Sequence, residues 1–241
     1  NIPTYRASSM YMSAHGFSVN DVAQVNSDCY HFVDAIRQEF PDYKKNIFLI
    51  GPVGPKNDAY DASTILSVQE SQNYHAIQIE ALAAMKIDLL SMATMPSVTE
   101  ALGCAQQASQ TGIPYTIGFI VNEQSQILDG TYLYDAIDTI DNSVLGDPPL
   151  CYLFFCTHPS VAKQVLSDWH KEYARIKGIK ANGSCKSVTE LAASNQALAD
   201  PPSQFAATIV ELAEQFDWHM LGGCCGTSGS HLQTIAEFLS K

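Results

Sequence analysis

The sequence predicts an α/β fold, a (β/α)8 barrel of the TIM type that lacks its first βα unit. Three observations carry that expectation. Apolar, β-rich runs alternate with amphipathic stretches almost throughout, the pattern of a parallel sheet covered by helices. The chain has 241 residues, close to the length of about 250 that such a barrel occupies. No strand runs into a GxGxxG turn, which places a doubly wound open sheet second. Six strands followed by helices are visible and a further strand end is read at "NIPTY", so the missing unit is expected before Asn1.

The elements follow in order. "NIFLIGPVGP" (46–55) reads as a buried strand ending in a Gly/Pro turn. Residues 63–86 carry Ile65, Leu66, Ile77, Ile79, Leu82 and Met85 at roughly helical spacing. Strand "IDLLSMATMP", helix "SVTEALGCAQQASQ" and strand "PYTIGFIVN" come next. A turn at "LDG" leads to helix "YLYDAIDTIDNSV", which Asp147, Pro148 and Pro149 end. Strand "LCYLFFCTHP" precedes a long helix, "SVAKQVLSDWHKEYARIKG", with Gly178 as its C-terminal cap. Strand "IKANG" and a loop through Cys185 lead to a helix opened by Pro201 and Pro202, where the first turn tolerates proline. Strand "WHMLGGCCGT" and helix "GSHLQTIAEFLSK" close the chain. No repeat or linker divides it, so residues 1–241 are expected to form one domain.

A formal net charge of −12 without any Lys/Arg cluster excludes a nucleic-acid binder, which would show a basic stripe. "DYKKN" (42–46) is the densest basic spot and reads as a solvated turn. No apolar run reaches the roughly 18 residues of a membrane span, and the N-terminus has no signal or transit pattern. It begins without Met, so a longer gene product is expected. Seven cysteines, an odd count without a secreted framework, point to a reduced, cytoplasmic protein whose thiols are core residues or ligands.

In a barrel of this kind chemistry gathers at the C-terminal ends of the strands. Cys156 ends one strand and the adjacent Cys224 and Cys225 end another, in "FCTHP" and "LGGCCGT". A disulfide between neighbours would be strained. Gly222, Gly223 and Gly226 would let the backbone bend so that both thiols turn toward one ion. Three thiolates with an open fourth position describe a catalytic zinc site. The other reading is two small residues in a tight turn and a buried hydrophobe. From spacing alone both stand.

"GGCCGT" after an apolar strand, with "CTHP" closing an earlier one, resembles the homocysteine S-methyltransferase family. "PTYRAS", "GPVGP", "DLLSMATMPSVTEA", "LDG" and "ANGS" match further family segments in order, so the resemblance spans essentially the whole chain. It implies a (β/α)8 barrel that transfers a methyl group to the thiol of homocysteine, a step of methionine biosynthesis. The implied metal ligands are Cys156, Cys224 and Cys225, and the implied cofactor is Zn²⁺. Asn182 matches an asparagine that helps to organise the site. The implied partners are the small-molecule thiol and a methyl donor, with S-methylmethionine or a similar methyl-onium favoured by the chain's short length. Two departures bear on substrate grip. The family's first-strand Asp-Gly segment has no counterpart here, and Ala93 stands where the fourth-strand motif carries glutamate. The alternative is therefore a zinc-binding barrel with an altered thiol substrate or without catalysis.

Other residues have less charged readings. His158 is expected to organise its turn or touch substrate rather than to supply a fourth ligand. His219 reads as a satisfied histidine of the barrel wall and His231 as a surface residue. Cys185 reads as an ordinary loop cysteine, and Cys29, Cys104 and Cys151 as packing. Tyr5 would face the pocket, where its ring suits a methyl-sulfonium or quaternary ammonium donor, or would simply pack. No GxSxG elbow supports a serine nucleophile.

Overall fold

Each strand is short and leads into a helix that returns the chain for the next. The computed structural model describes residues 1–186, 190, 194–196 and 198–240. In chain order these form α1 (Ser9–Ser13), α2 (Val22–Gln38), β1 (Ile50–Val53), α3 (Val68–Ala84), β2 (Leu89–Met95), α4 (Val98–Ser109) and β3 (Tyr115–Phe119). There follow α5 (Leu133–Ser143), β4 (Cys151–Phe155), α6 (Pro159–Ser167), β5 (Ile176–Ala181), α7 (Pro202–Phe216), β6 (Met220–Gly223) and α8 (Gly229–Leu239). The strands hydrogen-bond in chain order from β1 to β6. The β1–β2, β4–β5 and β5–β6 pairs are parallel. The α/β class and the sequential parallel order are those the alternation predicts.

Six strands stand among the described residues, not the six and a strand end that the sequence suggests. Residues 1–5 make no strand, yet they run beside β1. Ile2 N donates to Ile50 O at 2.9 Å, Gly54 N donates to Tyr5 O at 3.1 Å, and Thr4 Oγ1 donates to Pro52 O at 2.9 Å. Pro3 and Pro52 bring no N–H to this pairing, so a regular ladder cannot form across them.

Two compact units divide the chain, Asn1–Ile117 with Thr139–Leu150, and Gly118–Asp138 with Cys151–Lys241. In the first, Ser67 caps α3 through a reciprocal box with Glu70. The helix starts after Ile65, which is exposed, and Ile77 also faces outward. Its buried face mixes Ile79 and Leu82 with Ser71, His75 and Gln78, so apolar spacing alone misplaces it. These polar groups are tied into a network, although His75 Nδ1 and Gln78 Oε1 find no partner among the described residues. His75 Nε2 lies 3.0 Å from Glu100 Oε1, both fully buried, and Glu100 Oε1 also accepts from Lys56 N at 2.7 Å. Ser71 Oγ donates to Glu100 O, and Gln78 Nε2 donates to Thr4 O.

In the second unit β4 is buried throughout, and β5 is buried except at Lys177 and Lys180, which are partly exposed. Ile179 and Ala181 are fully buried, as are Phe205, Ile209 and Leu212 of α7. The long helix read over 160–178 is two elements. It stops at Ser167, where Asp168 leaves helical geometry (φ −98°, ψ 83°), and a 3₁₀ turn over Lys171–Arg175 delivers the chain to β5. Aromatic packing drives the change. Trp169 stacks on Phe216 with centroids 5.6 Å apart, and Tyr173 is buried. Gly178 is therefore a strand residue, not a helix cap, and a side chain there would collide with the Met220 carbonyl of β6. Among the described residues no helix is long and apolar enough to cross a membrane.

Removing His75 would leave the Glu100 carboxyl buried without its ring partner. We expect His75→Ala to destabilise the protein by about 3–5 kcal/mol, read as a lower urea midpoint at unchanged slope.

Candidate metal centre

Cys156 follows β4, and its backbone is left-handed (φ +46°), an uncommon conformation for a side chain with a Cβ. Its amide donates to Lys180 O at 2.9 Å, which fixes the turn against β5. On the other side of β5, Cys224 N donates to Ala181 O at 2.7 Å and Gly183 N donates to Cys225 O at 2.9 Å. The Cys224 carbonyl accepts from Thr227 N and from Thr227 Oγ1. Gly226 closes the turn at φ +78°, and a Cβ there would meet Leu198 O at 2.6 Å. The bend is thus made at Gly226, while Gly222 and Gly223, expected to share it, are regular strand residues of β6.

The three Sγ atoms lie within 4.8 Å of one another, with Cys224 and Cys225 4.0 Å apart. A tetrahedral ion with Zn–S bonds of about 2.3 Å would hold its sulfurs about 3.8 Å apart, so the spacing fits one cation. All three are free thiols. Cys156 is buried, Cys224 partly so and Cys225 exposed, which leaves one side open.

Electrostatics tells the same story. The Cys156 thiol is pushed far up by hydrogen bonds to Cys224 and Cys225, then by burial. For Cys224 the hydrogen bond from Cys156 acts downward, but its bond to Cys225 and burial outweigh it and push the thiol up to about 11. Three thiolates this close repel, and a divalent cation is what would let them ionise together. Beside them, Lys180 is pulled down to about 8 by burial, against an upward pull from Cys224.

A family model described as homocysteine S-methyltransferase matches residues 3–239. The chain belongs to the homocysteine S-methyltransferase family. Among solved structures it is similar to the homocysteine methyltransferase MmuM from Escherichia coli. The oxidized form has a TM-score of 0.78 at 17% identity, covering 98% of this chain and 78% of that one. The metallated form gives 0.76 at 17% identity, with coverage of 98% and 78%. The apo form gives 0.70 at 16%, with 92% and 76%. At such identity the likeness is one of fold. No curated protein matches the chain by sequence.

In this homocysteine S-methyltransferase family member the remaining expected residues fall into place unevenly. Asn182 is buried, its amide donates to Thr157 O at 3.2 Å, and its Oδ1 has no donor among the described residues. That buried acceptor is one a bound molecule or a water would satisfy. Tyr5 belongs to the first unit, where its hydroxyl lies 2.6 Å from Thr94 Oγ1, and Ala93 is buried there in β2. His158 caps α6, accepting from Ser160 N at Nδ1, and its Nε2 lies 3.1 Å from Asp200 Oδ2, so both nitrogens are engaged away from the thiols. Burial lowers its pKa, with Asp200 opposing.

Two histidines depart from expectation. His219 precedes β6 rather than lying in it, and its ring is 69% exposed beside Asp217. His231 is buried, because its Nδ1 accepts from Ser228 N to cap α8 while Nε2 lies 3.0 Å from Asp200 O. Cys185 is exposed as read, and Cys104 and Cys151 are buried, whereas Cys29 is only partly so.

Asp200 and Lys180 were not singled out by the sequence. Asp200 draws the His158 and His231 rings together, with only the Asp-Pro-Pro step to signal it. A charged residue amid the small and apolar run of "GIKANG" was the available sign for Lys180.

A methyl group at Gly226 would force both a left-handed alanine and a contact with Leu198 O. Gly226→Ala is expected to cost about 1–2 kcal/mol and to weaken metal uptake, checked by denaturant unfolding and metal titration of the same sample.

Proposed function

We propose that this chain transfers a methyl group to the thiol of homocysteine, with Zn²⁺ held by Cys156, Cys224 and Cys225. The observation that carries the reading is the convergence of these three thiols within 4.8 Å, open on one side, in a member of this family. When bound, the ion would supply a Lewis acid that keeps an incoming thiol ionised, since the thiolate is the nucleophile. The chain's own part is to hold the three sulfurs on fixed strand ends and to leave the fourth position to the substrate. Asn182 orders the adjoining turn through its backbone. The donor fitting this reading is S-methylmethionine or another methyl-onium, whose positive sulfur or nitrogen departs as a neutral group.

The pattern favoured is a (β/α)8 barrel in which β1 to β6 are the third to eighth strands. Sequential parallel order supports it, as does the TM-score of 0.78. The unbroken family match over 3–239 supports one functional domain spanning both units. Seven free cysteines are in keeping with a reducing, cytoplasmic setting.

A second reading, an altered thiol acceptor or a barrel without catalysis, is favoured by Ala93, which puts a methyl group where relatives of this motif carry a carboxylate. X-ray absorption at the zinc edge separates the two. Under the first reading, homocysteine converts three sulfurs and one light atom into four sulfurs, and Cys224→Ser or Cys225→Ser lowers zinc occupancy while Cys185→Ser keeps it. Zinc that ignores homocysteine would support the second. Full zinc occupancy in both serine variants would overturn the ligand assignment.

A further inference from the structure

On β5 the residue between the two thiol-bearing strand ends is a lysine. Phe155 of β4, Lys180 of β5 and Gly222 of β6 are register partners, so their side chains share one face of the sheet. Ile179 and Ala181, which alternate with Lys180, are the fully buried residues of the opposite face. The lysine stem lies across the glycine, since a Cβ on Gly222 would touch Lys180 Cγ at 3.5 Å. Its ammonium sits over the Phe155 ring, 5.2 Å from the centroid. Phe155 in turn occupies the space left by Gly118, where any side chain would collide with the ring.

Lys180 is only partly exposed, and among the described residues no carboxylate lies within ion-pair distance of it. Three other lysines of this unit, Lys163, Lys171 and Lys177, pair with Glu211, Glu172 and Asp217. A half-buried cation without a counter-ion is costly unless something else supplies the charge. An aromatic face offsets this only in part. Through its carbonyl Lys180 also holds the Cys156 amide, so the ammonium stem begins at the metal centre itself.

We propose that Lys180 is an anion subsite beside the thiols, and that the thiol accepted there carries a carboxylate or comparable anionic group on the same small molecule. This rests on the reading of the cysteines as a zinc site that takes up a thiol. Sulfur recognition would come from the metal centre, and charge recognition from Lys180. A thiol without the anion would fill the first and leave the second unpaired.

The test uses the zinc-loaded full chain and three thiols of equal length, mercaptobutanoate, mercaptobutanol and mercaptobutylamine, titrated by calorimetry with zinc-edge absorption on the saturated samples. The acid is expected to bind about ten- to a hundredfold more tightly than the alcohol, and the amine more weakly than either. Lys180→Met keeps most of the stem and should weaken the acid alone, bringing it within about threefold of the alcohol. Lys180→Arg should retain the preference. Equal binding of acid and alcohol by the native chain, or a preference that survives Lys180→Met, would refute the subsite while leaving the zinc reading intact. Failure of all three thiols to enter the zinc shell would refute the zinc reading and the subsite with it. Should Lys180→Met not fold, the native chain's ranking of the three thiols decides alone.

Discussion

Backbone hydrogen bonds along β5 are the constraint on which the site depends. That strand lies between β4 and β6, and its carbonyls at Lys180 and Ala181 receive the amides of Cys156 and Cys224, while Gly183 returns an amide to Cys225. Thiols 68 residues apart in sequence are thereby set by a ladder rather than by loop packing. A ladder fixes atoms more tightly than a surface loop can. It also explains why Cys156 tolerates a left-handed backbone. An L-residue there stores strain of about 1–3 kcal/mol, and the Lys180 carbonyl holds the amide in this conformation.

Around this spine the second unit uses buried polar side chains as ties. Asp200 lies just before α7 and reaches two histidines, His158 through its carboxylate and His231 through its carbonyl, with its amide donating to Gly183 O. Each histidine is also a helix cap, so α6, α8 and the segment before α7 are joined at one residue. Such capping satisfies amides that a helix start would otherwise leave bare. The first unit uses the same device around Glu100, which joins α3, α4 and the turn at Lys56.

Much of this was legible in the sequence, and the failures share a cause. Strand and helix alternation is a local signal, and the parallel order follows from it. The thiols were readable because "GGCC" and "CTHP" both sit at strand ends, where a fold of this type places its chemistry. Side-chain fates that depend on a one-residue boundary were not readable. His219 falls outside β6 by a single position and so points to solvent instead of the wall. His231 occupies a helical position that resembles surface, yet its ring closes a cap with Ser228. Gly178 carries the mark of a helix end, but the aromatic packing of Trp169 and Tyr173 had already ended the helix. Long-range contacts, of Asp200 O with His231 and of Phe216 with Trp169, bear on the last two, and no local pattern records those.

The layer that contains Lys180 shows how composition and chemistry are coupled. Gly118, Phe155, Lys180 and Gly222 follow one another from β3 to β6, two large side chains between two absent ones. A Cβ on Gly222 would make ordinary contact with Lys180 Cγ at 3.5 Å, whereas any side chain on Gly118 would collide with the Phe155 ring. The glycines therefore do more than permit a bend. The cation's residue pairs in register with Gly222, two residues along β6 from Cys224. A cluster of three thiolates around one divalent ion carries net negative charge, and a further thiolate would deepen it. A fixed cation in the neighbouring layer opposes that increase without competing for the metal, since an ammonium has only donors and no lone pair to offer. On the proposed reading, one geometry would serve metal, thiol and charge with three adjacent strand ends.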